Sequence, residues 1–594
     1  MTALDWAIVL LYFAASAAIG VAYARRAGSN LEEFFLSGRD LPWWMAGTSM
    51  VATTFAADTP LAVTELVAQS GIAGNWLWWN AALGGMLTVF FFARLWRRAG
   101  VLTDVEFVEL RYSGTPAAVL RGFRAIYIGI FMNCVIMGWV NLAMAAVLEG
   151  MFGIPHARVM VYVVLSLLVT AVYSALSGLR GVAVTDAFQF VLAMTGTTVL
   201  AFVVMALPQV GGIQGLKAQL PGWTLRFTPV IGEQAAPAAG GALALSVSAF
   251  LAYVGVQWWA SWYPGAEPGG GGFVAQRMMS TRDERESLLA TLWFTVAHYC
   301  VRPWPWILVG LATLVLYPGL GPDEKRLGFV YAMRDHLPPG LKGMLVASFF
   351  AAYMSTVSTQ LNWGTSYIVN DLYRRFVKPS AGERELVRLS RITTIVVMAL
   401  SVVVTFMIGT ISGAWAFVLE AGAGLGLVLI LRWFWWRVNA WSEIAAMLSA
   451  LAVYGYLRAA TAVRFPETLY YIVAFSTVCW VAVTLLTPPV EMDTLKSFFR
   501  RVHPGGPGWR PVALLTPEVR ADSGMGRLAL DWAAGVVLVY STLFAIGSVL
   551  FGRWTSAIVC VVLGTGAGCW IWHDLGGHGL RERRLRPAGS RAAG

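Results

Sequence analysis

Fifteen stretches of predominantly apolar residues follow one another along the 594-residue chain, most of them separated by short polar connections. A helix needs about 20 such residues to cross the hydrocarbon core of a bilayer. Inside that core only helices and closed barrels satisfy every backbone polar group. The runs fall at roughly 4–24, 43–70, 74–96, 122–147, 158–177, 181–206, 242–263, 286–316, 340–370, 391–409, 413–434, 440–458, 468–487, 529–551 and 554–574. Their length and number predict an all-α polytopic membrane protein of about 15 transmembrane helices. With 58% of residues hydrophobic and 13% charged, the chain lacks the polar surface that soluble domains carry. Soluble, disordered, fibrous and disulfide-stapled proteins are excluded on the same grounds.

The formal charge of +11 would suggest a nucleic-acid partner in a soluble protein. Here the basic residues follow topology instead. With the N-terminus outside and strict alternation, about 32 Lys and Arg fall in inside segments and about 10 outside. Arg302 falls within a span. This asymmetry predicts a multi-pass protein of the plasma (inner) membrane, with its N-terminus outside and C-terminus cytoplasmic. Nucleic acid drops away as a partner, and membrane lipid takes its place around the spans and beneath the basic tail. The leader MTALDW has no basic residue, so the first run reads as a span rather than a cleaved signal. The cysteines Cys134, Cys300, Cys479, Cys560 and Cys569 all sit in apolar runs and read as small buried hydrophobes. No histidine cluster, nucleotide loop or catalytic triad appears in the sequence, so neither an enzyme nor an organic cofactor is expected.

Three spans break the rules of the bilayer, where polar residues and helix breakers are costly and point to function. The second, GTSMVATTFAADTPLAVTELVAQSG, carries Asp58, Thr59 and Pro60 in its middle. Pro60 denies the helix a hydrogen bond and crowds the carbonyl of Ala56. An interruption there frees carbonyls for a hard cation and a helix N-terminus for an anionic group. The ninth, LVASFFAAYMSTVSTQLNWGTSYIVNDLY, lines up Ala352, Ser355 and Thr359 on one face with Thr356 beside it. Uncharged hydroxyls and carbonyls make either a loose cation site or a Ser/Thr-glued helix interface. The seventh ends in Gln257, Trp258, Trp259, Trp262 and Tyr263 before Pro264. That cluster suits a small polar solute or an interfacial aromatic belt. Spans two and seven each open a group of five, the pattern of an inverted five-span repeat built around discontinuous helices.

At these residues the chain resembles the sodium/solute symporter family, which includes bacterial proline, galactose and sialic acid symporters. The resemblance runs from about residue 4 to 490. It rests on FFLSGRDLPWW and SMVATTFAADTPL at 34–61, YSALSGLRGVAVTDAFQ at 173–189, AQRMMSTRDE at 275–284 and AAYMSTVSTQLNWGTSYIVNDLY at 351–373. It implies a leucine-transporter-like five-plus-five inverted repeat, here with extra N- and C-terminal helices. It also implies sodium as the coupling ion, held by carbonyls of Ala52, Phe55 and Ala352 and hydroxyls of Ser355 and Thr356. Asp186 matches an aspartate on the family's sodium exit route. Asp58 and Thr59, with the cluster Gln257, Trp258, Trp259, Trp262 and Tyr263, fall in the implied substrate region. The segment YPGAEPGGGG and the two spans after residue 528 depart from the family pattern.

The expected organisation is an N-terminal extra helix and loop (1–42), a first repeat of spans two to six (43–206) and an outer loop (207–241). A second repeat of spans seven to eleven (242–434) precedes spans twelve and thirteen (435–487). A cytoplasmic linker (488–528), spans fourteen and fifteen (529–574) and a basic tail (575–594) complete the chain. The function expected is sodium-driven uptake of a small polar organic solute, a sugar, amino acid or carboxylate, by alternating access. Proton coupling on the same scaffold, or a membrane solute sensor that does not transport, are the alternatives.

Overall fold

The computed structural model describes residues 1–229, 247–409, 411–522 and 524–585. Among them the chain is helical, with a single isolated bridge between Leu41 and Thr281 outside the helices. Twelve continuous helices among the described residues are long and apolar enough to cross a membrane. They match twelve of the fifteen expected spans, from Ala3–Ala27 to Trp554–Gly576. The second, seventh and eleventh spans are instead pairs of shorter helices in series.

Span two is Trp43–Thr54 followed by Asp58–Ser70. The break lies just ahead of Pro60, where the ring and the missing N–H forbid a continuous helix. Span eleven is Gly413–Gly422 and Gly426–Phe434, bent by 41°. Span seven differs from expectation. Its first half runs through Val247–Leu251 and Ala252–Gln257 to Trp258–Ala260, residues 261–271 are irregular, and Gly272–Ser280 is a second half. The expected end at residue 263 was therefore too early, and AQRMMS is the span's second half rather than a connection after it. The first expected residues of this span, 242–246, lie outside the described residues.

The glycine-rich stretch is a tight backbone turn inside span seven. Gly269 and Gly270 have φ of 75° and 69°, which side-chain-bearing residues rarely adopt. Trp96 Nε1 donates to the Gly269 carbonyl at 3.0 Å, and a Cβ on Gly270 would lie 2.8 Å from the same nitrogen. Close packing also fixes span eleven against span seven. A Cβ on Gly426 would stand 1.9 Å from the Trp259 carbonyl oxygen.

The segment 488–528 is more than a linker. Its helix Met492–Val502 buries Leu495, Phe498, Phe499 and Val502. Phe498 meets the rings of Phe107 and Trp509 at 5.7 and 5.4 Å, so the segment docks on the bundle. The fourteenth span, Met525–Leu550, lies on the third and eighth. There Tyr540 and Trp532 donate to the carbonyls of Trp79 and Leu83, both at 3.0 Å. Helix Trp554–Leu585 carries span fifteen into the expected tail, of which 586–594 lies outside the described residues. Cys134 and Cys300 are buried as expected, but Cys569 is exposed on span fifteen and Cys479 and Cys560 are half-buried. An apolar outer surface is what a lipid-facing helix requires, so an apolar run does not imply an inward-facing thiol.

Candidate functional site

Two neighbouring features occupy the break of span two. The first is a buried polar network where spans two, six, seven and nine meet. Ser49 donates to Asp186 Oδ2 at 2.5 Å, and Ser355 donates to Asp186 Oδ1 at 2.7 Å. Thr356 donates to the Thr53 carbonyl at 2.7 Å and to the Ala352 carbonyl at 3.2 Å. Ala52, Phe55, Ala352, Ser355, Thr356 and Asp186 are all buried, and the hydrogen bond from Ser355 joins one implied sodium ligand to the implied exit-route aspartate. Phe55 closes the end of the first half-helix by donating its N–H to the Ala52 carbonyl at 3.0 Å. The hydroxyl oxygens of Ser355 and Thr356 donate one proton each and keep lone pairs for a cation.

The network also contains a cation that sequence reasoning did not single out. Arg277, wholly buried in the second half of span seven, stands 3.8 Å from Asp186 Oδ2. Its guanidinium donates to Ser49 Oγ at 3.2 Å, Thr359 Oγ1 at 2.7 Å and Gln276 Oε1 at 2.8 Å. Thr53 and Thr359 share a 2.9 Å hydrogen bond that joins spans two and nine. A buried charge of this kind requires such pairing.

The second feature is a cavity of about 130 Å³ beside the same break. Asp58, Thr59, Gln257, Trp258 and Tyr263, five of the seven residues of the implied substrate region, line it. Thr356 lines it too, so the cavity adjoins the network. Trp259 and Trp262 do not line it. Trp262 is buried with its backbone N–H donating to the Gly422 carbonyl at 3.1 Å, and Trp259 Nε1 turns back to the Gly255 carbonyl at 2.6 Å. Both are engaged in seating span seven against its surroundings. Asp58 opens the second half-helix of span two, where free N–H groups favour a carboxylate.

Arg302 finds its partners here. A π-helical turn at Ala297–Val301 precedes it, and such turns commonly re-aim side chains at functional sites. Its Nη1 donates to the Val51 carbonyl at 3.2 Å and Thr54 Oγ1 at 3.0 Å, so a cation caps the carbonyl end of the first half-helix. Its guanidinium lies 5.1 Å from the Trp306 ring centroid. His298 Nδ1 meets Thr54 Oγ1 at 2.9 Å. Among the lining residues that sequence reasoning missed are His298, Asn80, Trp139, Ser261, Gln360 and Trp415. The cavity continues into a second one through the shared Ala62, Leu66, Leu77, Trp415 and Leu419.

Outside the spans, Asp40 ties the first connection to two others, 3.3 Å from Arg180 and 3.1 Å from Arg282. The hydrogen bond from Arg180, with Arg282 beside it, holds this carboxyl below the usual carboxylate range despite some burial.

Comparison with known proteins places the chain among membrane cotransporters by sequence and fold. The sequence model of the sodium:solute symporter family matches residues 34–450. A sodium/glucose cotransporter of Vibrio parahaemolyticus is 24% identical over 523 residues, covering 83% of this chain and 92% of its own. A sodium/mannose cotransporter of Bos taurus is 25% identical over 486 residues, covering 76% of this chain and 78% of its own. A solved outward-open, substrate-bound sodium-coupled sialic acid symporter aligns with a TM-score of 0.65 at 18% identity. That alignment covers 82% of this chain and 99% of the other, and it speaks for a shared fold.

Proposed function

We propose, from the premise that the chain belongs to the sodium:solute symporter family, that it couples sodium entry to uptake of a small polar organic solute such as a sugar, amino acid or carboxylate. The observation that carries this reading is the meeting of Asp186, Ser355 and Thr356 with Ser49 and Thr53 at the break of span two. Sodium binds there between spans two and nine, with carbonyls of Ala52, Phe55 and Ala352 and hydroxyls of Ser355 and Thr356 as ligands. Asp186 receives the ion on its way inward. The solute occupies the adjoining cavity, against Asp58, Thr59, Gln257, Trp258 and Tyr263. Two of the relatives carry sugars in their names, which keeps sugars within the solute class.

Sodium fixes spans two and nine relative to each other and so completes one wall of the solute cavity. Inward rocking then exposes both sites to the other side. In this reading the N-terminus is outside and the C-terminus cytoplasmic, supported by the distribution of Lys and Arg along the sequence. The driving force is the sodium gradient plus about 2.3 kcal/mol per charge per 100 mV of membrane potential.

Sodium and solute must raise each other's affinity by the same factor. The test is uptake into proteoliposomes under an imposed sodium gradient, measured with and without an opposing pH gradient. Uptake that collapses when external sodium is replaced by choline supports the reading. Uptake that persists in sodium-free buffer and follows the pH gradient assigns the coupling to protons instead.

A further inference from the structure

The wall of the central cavity carries chemical information beyond its size. Buried polar atoms in proteins are almost always hydrogen-bonded. Yet Asn80 Oδ1, Gln257 Oε1, Ser261 Oγ, Arg302 Nε and Trp415 Nε1 are buried without a partner among the described residues, and all five residues line this cavity. The orientation of two amides follows from their other ends. Gln257 Nε2 donates to the Leu77 carbonyl at 3.0 Å, and Asn80 Nδ2 donates to the carbonyls of Trp76 and Leu77 at 2.8 and 2.9 Å. Their oxygens are therefore acceptors left over for a ligand. Asp58 adds a buried carboxylate at the start of its half-helix, 3.5 Å from the Thr59 hydroxyl that donates to it. The opposite character comes from Arg302 and Trp415, which have only donors to offer.

We infer that the solute is a small zwitterionic amino compound, its ammonium taken by Asp58, Asn80 and Gln257 and its carboxylate by Arg302 and Trp415. This rests on the reading of the cavity as the solute site of a symporter. An ammonium group brings three N–H donors to three acceptors, and a carboxylate accepts from a guanidinium in the strong, charge-assisted way. Each end of the solute then gives a buried charge a charge-assisted partner, which a neutral solute cannot supply. Trp139, Tyr263 and Trp415 form one ring cluster on the wall, with centroids 6.1–6.5 Å apart.

The test uses the full-length protein, purified in sodium buffer, and reads thermal stabilisation together with uptake into proteoliposomes. The probes are L-alanine, L-serine and L-proline as zwitterions, L-lactate without the ammonium, L-alaninol without the carboxylate, and D-glucose. At least one zwitterion is expected to bind at least tenfold more tightly than L-lactate, L-alaninol and D-glucose. Asp58→Asn and, separately, Gln257→Leu are expected to weaken that zwitterion tenfold or more while leaving the stabilisation by sodium alone intact, which shows that each variant is folded. Binding of D-glucose or L-lactate as tight as that of every zwitterion, or no binding by any zwitterion, overturns the inference. Sodium-driven uptake of glucose in preference would do so while leaving symport standing. Sodium-independent uptake of a zwitterion would uphold the solute class and remove the coupling.

Discussion

Asp186 is held on one side by Ser49 and on the other by Ser355, and a third contact, Arg277 at 3.8 Å, supplies the countercharge. Ser355 braces the carboxylate and, in the proposed function, also presents an oxygen to sodium. Ser355→Ala removes both, and a hydrogen bond to a charged group contributes about 1.5–3 kcal/mol. The expected outcome is a rise of roughly tenfold or more in the sodium concentration for half-maximal uptake, with maximal uptake at saturating sodium largely kept. Thr356→Ala should act in the same direction. A sodium titration of uptake in both variants checks this, and an unchanged half-saturation would remove these hydroxyls from the site. The residue types were legible in the sequence because hydroxyls crowd the middle of span nine, where they mark either a cation site or a helix interface. The contact was not legible, since 169 residues separate Ser355 from Asp186. Arg277 escaped notice for a different reason. It sits in what reads as the connection after span seven, and charge there looks interfacial until the chain is seen to continue as a half-helix.

Broken helices are the elements that the sequence announced most clearly and bounded least well. Pro60, two residues after Asp58, reads as either a kink or a full break, and the break falls where the missing N–H allows it. In span seven the glycines marked a break, but a run without helical phase cannot say which aromatic faces inward. Gln257, Trp258 and Tyr263 line the cavity while Trp259 and Trp262 do not. Span eleven decides this division by pressing Gly422 against Trp262 and Gly426 against the Trp259 carbonyl. Gly426→Ala is therefore expected to cost about 1–3 kcal/mol, the usual range for overpacking. It should also weaken solute binding more than sodium binding, because the displaced element carries cavity residues and not the sodium ligands. Thermal shift with each ligand in turn separates the two effects, and equal losses would place span eleven's influence elsewhere. The connections behave differently. Because the folded Asp40 carboxyl titrates below its ordinary range, its stabilising ties to Arg180 and Arg282 are complete above the unfolded value and are lost only as pH falls through the folded one. Between about pH 5 and 8, stability should thus be flat with respect to this group. Asp40→Asn should lower stability across that whole window, which melting curves at several pH values can check.

At the scale of the molecule, the approximate number of spans followed from hydrophobicity alone, because a bilayer leaves a helix few options. How the later spans attach did not, since contacts between distant runs leave no periodicity to read. The fourteenth and fifteenth spans pair with each other, as Trp570 donating to Asp531 at 2.9 Å and the contact of Arg527 with Asp574 indicate. The fourteenth then rests on the core through hydrogen bonds to the Trp79, Leu83 and Leu543 carbonyls, given by Tyr540, Trp532 and Trp304 respectively. No residue of either span lines the central cavity or the Asp186 network among the described residues. Their contribution is support: they cover spans three and eight, and span eight carries Arg302 two residues before Trp304. Removing residues 523–594 is therefore expected to lower the melting temperature, because Trp304 and Trp79 lose their packing and two carbonyls lose their donors. Sodium should still stabilise the shortened protein, and solute should still add to that stabilisation. Tyr540→Phe within the full chain provides the milder version, with a loss of about 0.5–1.5 kcal/mol for one hydrogen bond. Should the shortened protein remain folded yet lose the mutual reinforcement of sodium and solute, the two spans would belong to the coupling itself, acting on Arg302 through span eight.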